Sequence, residues 1–164
     1  MNKKIYIIGP TGAGKSTFAS KLSDKYHIKW YELDKVSWDD ENGNVRRPEK
    51  EALKIFSDIL KNDSWIIEDV GRDLFKEGRK EADIIYYLKN SKLSSYFRIT
   101  KRSIRQVLGL EKYNCEPSFK EWKSLINTAK LYHDKEKETL ESLQEYKDKL
   151  VIITNKDAKE ILNK

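Results

Sequence analysis

"IYIIGPTGAGKSTFASKL", residues 5–22, decides the fold. Its apolar run Ile5–Ile8 reads as a strand buried on both faces, starting at Lys4. Gly9-Pro10-Thr11-Gly12-Ala13-Gly14-Lys15-Ser16 then fits G-x-x-x-x-G-K-S/T in full, and Lys15–Tyr26 reads as a helix. The residue types follow from phosphate chemistry. Glycines let backbone N–H groups curl round phosphate oxygens without a Cβ in the way. The helix that follows aims its positive end at the anion. Lys15 is placed for the β- and γ-phosphates and the Ser16 hydroxyl for Mg²⁺. Gly9, Pro10, Thr11, Gly12, Ala13, Gly14, Lys15, Ser16 and Thr17 are therefore the expected nucleotide-binding set.

Moving outward, strands and helices alternate. Lys29–Leu33 is expected as a second strand, Trp65–Glu68 as a third, Asp83–Leu88 as a fourth and Leu150–Thr154 as a fifth. Between them, Pro48 opens a helix carrying Ala52, Leu53, Phe56, Ile59 and Leu60 at helical spacing. Asn42-Gly43-Asn44 marks a turn before it. Asp73–Lys80 reads as a short helix and Leu93–Leu108 as a long one. Ser118 and Glu121 form a capping box for a helix that runs to about Lys147 and is weakest at Asp134–Glu138. Ala158–Leu162 closes the chain. Alternation of this kind predicts an α/β fold, a parallel sheet with helices on both faces, in a single domain over 1–164. An acceptor-side insertion is expected at about 35–64 and a lid at about 93–119.

Composition bounds the function. The 164 residues suit one domain, and no run of 18 apolar residues offers a membrane span. The N-terminal apolar run is too short for a signal peptide. A single cysteine, Cys115, excludes an internal disulfide and suits a reducing, cytoplasmic setting. His27 and His133 read as surface residues. Net charge is +6. All seven arginines, Arg46, Arg47, Arg72, Arg79, Arg98, Arg102 and Arg105, fall in the middle of the chain, pointing to an anion site there. Direct DNA binding would rest on charge alone, since no recognition motif is visible. Asn155-Lys156-Asp157 has its aspartate one residue early for the N-K-x-D base-reading motif of GTPases. A monomer or homodimer is expected.

Asp34 sits at the carboxyl end of the second predicted strand, where α/β sheets bind ligands, and is suited to orient or deprotonate an acceptor hydroxyl. Arg98, Arg102 and Arg105, at i, i+4 and i+7, share one helix face suited to closing on a triphosphate. Arg98 and Arg102, with Lys15 and Asp34, are the catalytic candidates. Arg46 and Arg47 are further candidates for an anionic acceptor.

Together with the phosphate loop, "WYELD" (30–34), "WIIEDVGR" (65–72) and "RITKRSIR" (98–105) make the chain resemble the adenylate-kinase-like P-loop proteins. More narrowly, it resembles the FlaR-type DNA topology modulation proteins, which carry H-L-D and W-I-I-D-G-N-Y at the corresponding strands and an arginine-rich helix. The resemblance implies a five-stranded parallel sheet of order 2-3-1-4-5 with a lid between the fourth and fifth strands. It also implies ATP, Mg²⁺ and phosphoryl transfer. It places Glu68, or its neighbour Asp69, at the metal-bound water, and Arg72 on a small, anionic acceptor. Glu68-Asp69-Val70-Gly71 departs from the branch's D-G-N-Y. Two functions stay open: a kinase acting on a small molecule or nucleotide, and a slowly hydrolysing nucleotide-binding regulator, possibly acting on DNA topology.

Overall fold

The computed structural model describes residues 3–39, 45–111 and 117–163. The Asn42–Asn44 turn and Cys115 lie outside the described residues. Five strands, β1 (Lys4–Ile8), β2 (Trp30–Glu32), β5 (Trp65–Asp69), β6 (Ile84–Leu88) and β7 (Leu150–Ile153), form one parallel sheet ordered β2-β5-β1-β6-β7. Counted within the sheet, that is the expected 2-3-1-4-5. A small antiparallel pair, β3 (Trp38–Asp39) and β4 (Val45–Arg46), stands apart.

The central strands are buried on both faces because their side chains alternate between two apolar layers, while edge strand β7 leaves Val151 and Ile152 exposed. Ile5 and Ile7 of β1 and Ile66 of β5 face helix α1 (Lys15–Tyr26) and α8 (Asn155–Asn163), where Phe18, Leu22 and Ala158 meet them. Tyr6, Ile8, Trp65 and Ile67 face the other way, against Leu33 and Val36 of α2 (Leu33–Ser37) and Phe56 of α3 (Glu49–Leu60). A one-residue slip would exchange the two layers, so the register is strongly specified.

After β5 a 3₁₀ turn (Asp73–Phe75) leads into α4 (Lys76–Glu81). Beyond β6, α5 (Lys92–Val107) packs on α6 (Phe119–Asp134), and α7 (Glu136–Ser142) with a last 3₁₀ turn leads back to β7. Ser118 caps α6 by accepting the Glu121 N–H at 3.1 Å. The helix expected to continue to about Lys147 breaks at Lys135, inside the charged stretch that has no apolar stripe to hold it.

Two expectations are corrected. The second strand ends at Glu32, so Asp34 lies in the first turn of α2 and not at a strand's end. Leu33 and Val36, three apart, are both buried, and helical spacing is what lets them reach the core together. His133 is 6% exposed and not a surface residue. It shares the inner face of α6 with Ala129, one turn earlier, which is fully buried.

Candidate functional site

The phosphate loop leaves β1 and enters α1 with Gly12 at φ +80° and Gly14 at φ +100°, both in the left-handed region. Close packing adds a second reason for glycine. A Cβ on Gly12 would stand 2.9 Å from the Ser95 carbonyl oxygen, and one on Gly14 would stand 2.9 Å from Arg98 Nη1. Helix α5 is thus pressed against the outer wall of the loop. Asn90 donates to Ser95 Oγ at 3.2 Å and approaches the Gly12 carbonyl at 3.5 Å. Arg98 donates to the Ala13 carbonyl at 2.8 Å and to Asn155 Oδ1 at 3.0 Å.

Lys15 is buried, and its ammonium donates to the Pro10 carbonyl at 3.2 Å. The Ser16 hydroxyl donates to Glu68 Oε1 at 2.8 Å. Glu68 is buried at the end of β5, and its Oε2 has no hydrogen-bond partner among the described residues. Burial raises the Glu68 carboxyl above its ordinary value, against the pull of Lys15 and the Ser16 hydrogen bond. This donor set fits Mg²⁺. The ion is held by one or two protein oxygens plus waters and substrate phosphates, not by an all-protein cage. The described residues contain no cluster of three acidic, histidine or cysteine ligands.

Asp69 plays a different part. Its Oδ2 accepts the N–H groups of Gly71 and Arg72 at 2.9 and 2.6 Å, closing the turn that follows β5. Burial raises its carboxyl too, and the Arg72 charge is the chief opposing effect. Arg72 is heavily engaged. It ion-pairs with Asp34, lies 3.4 Å from Asp69 Oδ1, and donates to the Leu33 carbonyl at 3.1 Å and Ser37 Oγ at 2.7 Å. Tyr132 of α6 reaches the same cluster, its hydroxyl raised by burial and lowered by Arg72.

The structure therefore brings Lys15, Ser16 and Glu68 together at one point. Asp34 and Arg72 form a second point joined to it electrostatically, since the Asp34 and Glu32 charges both act on Glu68. Arg98 touches the loop, but on its backbone side. Arg102 is exposed one turn further along α5, with no partner among the described residues. Arg105 pairs with Glu111 at 3.2 Å. Arg47 ties the β3–β4 pair to its surroundings through Asp39, Glu51 and backbone carbonyls.

The sequence assigned no functional role to the side chains of four residues, Asn90, Ser95, His133 and Asn155. His133 Nε2 lies 3.0 Å from Ser95 Oγ, and Ser95 is fully buried. With Lys89, Lys92 and Arg98, three of them line an open cleft of about 660 Å³ beside the phosphate loop. Nothing local in the sequence distinguished these side chains.

Comparison with known proteins agrees with this fold. A family model described as an AAA domain matches residues 5–118, from β1 through α5. The uncharacterized protein YqaC of Bacillus subtilis is 26% identical over 135 residues, covering 79% of this chain and 75% of that protein. A shikimate kinase of Blochmanniella floridana is 27% identical over 121 residues, covering 65% of this chain. The matched region is 64% of that enzyme's length. Among solved structures, a gluconokinase from Sinorhizobium meliloti superposes with a TM-score of 0.57 at 15% identity, covering 99% of this chain and 88% of the other. The likeness at that identity is one of fold. With a complete phosphate loop, a 2-3-1-4-5 sheet and a family match over more than half its length, this chain is a P-loop protein of kinase-like fold and belongs to the AAA domain family.

Proposed function

We propose that this protein is an ATP- and Mg²⁺-dependent kinase that transfers the γ-phosphoryl group of ATP to a hydroxyl of a small molecule. The observation that carries the reading is the Ser16–Glu68 contact beside Lys15, with a buried carboxylate oxygen left unpartnered at the mouth of the loop. Relatives named as kinases add support. Backbone N–H groups of the loop and Lys15 bind the phosphates. Ser16 and Glu68 would hold Mg²⁺, Glu68 by way of water, and the ion would supply charge neutralisation to the phosphates. The nucleobase end of ATP lies toward the cleft of Arg98 and Asn155.

In the transfer, the acceptor oxygen bonds to the γ-phosphorus as the bond to the bridging oxygen breaks. ADP leaves with that electron pair. Asp34, exposed at 67% of its side chain, receives the hydroxyl proton. Arg98 holds the loop backbone, and Arg102 supplies charge to the transferred group when α5 approaches it. The reading is tested by ATP consumption across nucleosides, nucleotides, polyols and sugars. Asp34→Asn is expected to keep ATP binding nearly intact while acceptor-dependent turnover collapses. Arg102→Ala is expected to lower the chemical rate more than ground-state affinity. If no acceptor stimulates ATP use and Asp34→Asn leaves basal hydrolysis unchanged, the slow regulatory NTPase is the better account.

A further inference from the structure

The charge around Arg72 bears on which acceptors the site can take, given the kinase reading above. An arginine that receives an anionic substrate must present free N–H groups. Arg72 presents few. Its guanidinium is shared among the Asp34 carboxylate, Asp69, the Leu33 carbonyl and Ser37 Oγ. The other cations nearby are committed as well. Arg79 is buried and donates to the Arg72 carbonyl at 2.9 Å and to Asp73. Arg47 is held by Asp39, Glu51 and carbonyl oxygens. Against them stand Asp34, Glu68 and Asp69, of which Glu68 Oε2 is buried and unpartnered, while Glu32 is paired with Lys35 at 2.6 Å. Lys15 is required by the phosphates.

An incoming carboxylate or phosphate would have to displace Asp34 from Arg72 and then lie beside Asp69 and Glu68. An uncharged hydroxyl compound meets no such opposition. It donates to the Asp34 oxygen turned away from Arg72, and the Tyr132 hydroxyl, kept neutral by burial, is a further partner. We infer that Arg72 is a positioning residue that holds Asp34 in place, and that the phosphoryl acceptor is an uncharged hydroxyl compound of the polyol, sugar or nucleoside class. This replaces the anionic acceptor that the family resemblance implied for Arg72.

The test uses the full chain with ATP and Mg²⁺ and acceptors paired by skeleton: glycerol with glycerate, sugars with sugar acids, and nucleosides with their 5′-monophosphates. The uncharged member of a productive pair is expected to show at least a tenfold higher kcat/KM. Arg72→Ala is expected to lower kcat for that acceptor at least tenfold with little change in KM, and Arg72→Lys to recover part of the loss. A charged member that is the better acceptor, or an Arg72→Ala variant whose defect is confined to KM for anions, overturns this inference and leaves the kinase standing. Silence from both series while ATP still binds overturns the kinase reading itself, and this inference with it.

Discussion

Gly12 shows what a single residue must satisfy here. Its φ of +80° strains any L side chain, and the Ser95 carbonyl oxygen, a backbone atom that cannot swing aside, would stand 2.9 Å from a new Cβ. Gly12→Ala is expected to cost about 1–3 kcal/mol, read as a lower urea midpoint at unchanged slope, and to weaken ATP binding as the loop shifts. Lys15→Ala is a different case. It removes a cation whose described contact is one carbonyl, so the urea midpoint should stay close to the parent while turnover vanishes and ATP affinity falls. Equal ATP affinity and turnover in that variant would remove the nucleotide assignment. Both glycine and lysine were legible in the sequence because the loop's requirements are local: backbone freedom, a cation and a hydroxyl at fixed spacing. Asn155 and Ser95 were not legible, because each matters only through a partner more than fifty or thirty-five residues away, Arg98 for one and His133 for the other.

Among the elements, β1 and α1 were read with their true ends, since an apolar run against glycines and an amphipathic repeat leaves little ambiguity. Asp34 shows where that method stops. A strand of three residues, Trp30–Glu32, carries too short a pattern to fix its own end, and the burial of Leu33 with Val36 turned the next residues into a helix. α6 is the other lesson. Its apolar residues gave the helix, but the polar His133 on its inner face was read as solvated because only α5, packed against it, makes it buried. Burial lowers the His133 pKa below 6.5, and Lys92 on α5 lowers it further, while Glu136 of α7 and neighbouring Asp134 raise it. Lys92 also pairs with Asp134. The sign follows from proton uptake. The unfolded chain binds a proton at this histidine at higher pH than the folded one does. The stabilising effect is therefore complete above about pH 6.5 and is lost as pH falls below that value. His133→Asn is expected to flatten the decline in stability below pH 6.5, measured as urea midpoint against pH. A parallel decline in both proteins would show that the histidine does not set it.

Across the whole molecule, charge is distributed less simply than a net +6 suggests. Confinement of all seven arginines to the middle of the chain pointed to one anion site. In the structure, Arg47, Arg72, Arg79, Arg98 and Arg105 are each bound to protein carboxylates or carbonyls, and only Arg46 and Arg102 stand exposed without a described partner. The excess positive charge is therefore carried chiefly by lysines spread over the surface. Their ammonium groups act as hydrated point charges and supply no bidentate fork for reading a base or clamping a backbone. Binding to duplex DNA by such a surface comes from counterion release, which is sequence-independent and weakens as salt rises. The expected outcome is a dissociation constant of roughly 10⁻⁶ M or weaker at physiological salt, equal for unrelated sequences, with log affinity falling linearly against log salt. Because the phosphate loop takes no part in such a surface contact, Lys15→Ala should lose no more than the share of a single charge. Fluorescence anisotropy with two unrelated duplexes over about 50–200 mM salt measures both affinity and slope. Nanomolar binding that survives the upper end of that range, or that changes when ATP is added, would mean that the molecule carries a built DNA surface and would favour the regulatory function over the kinase.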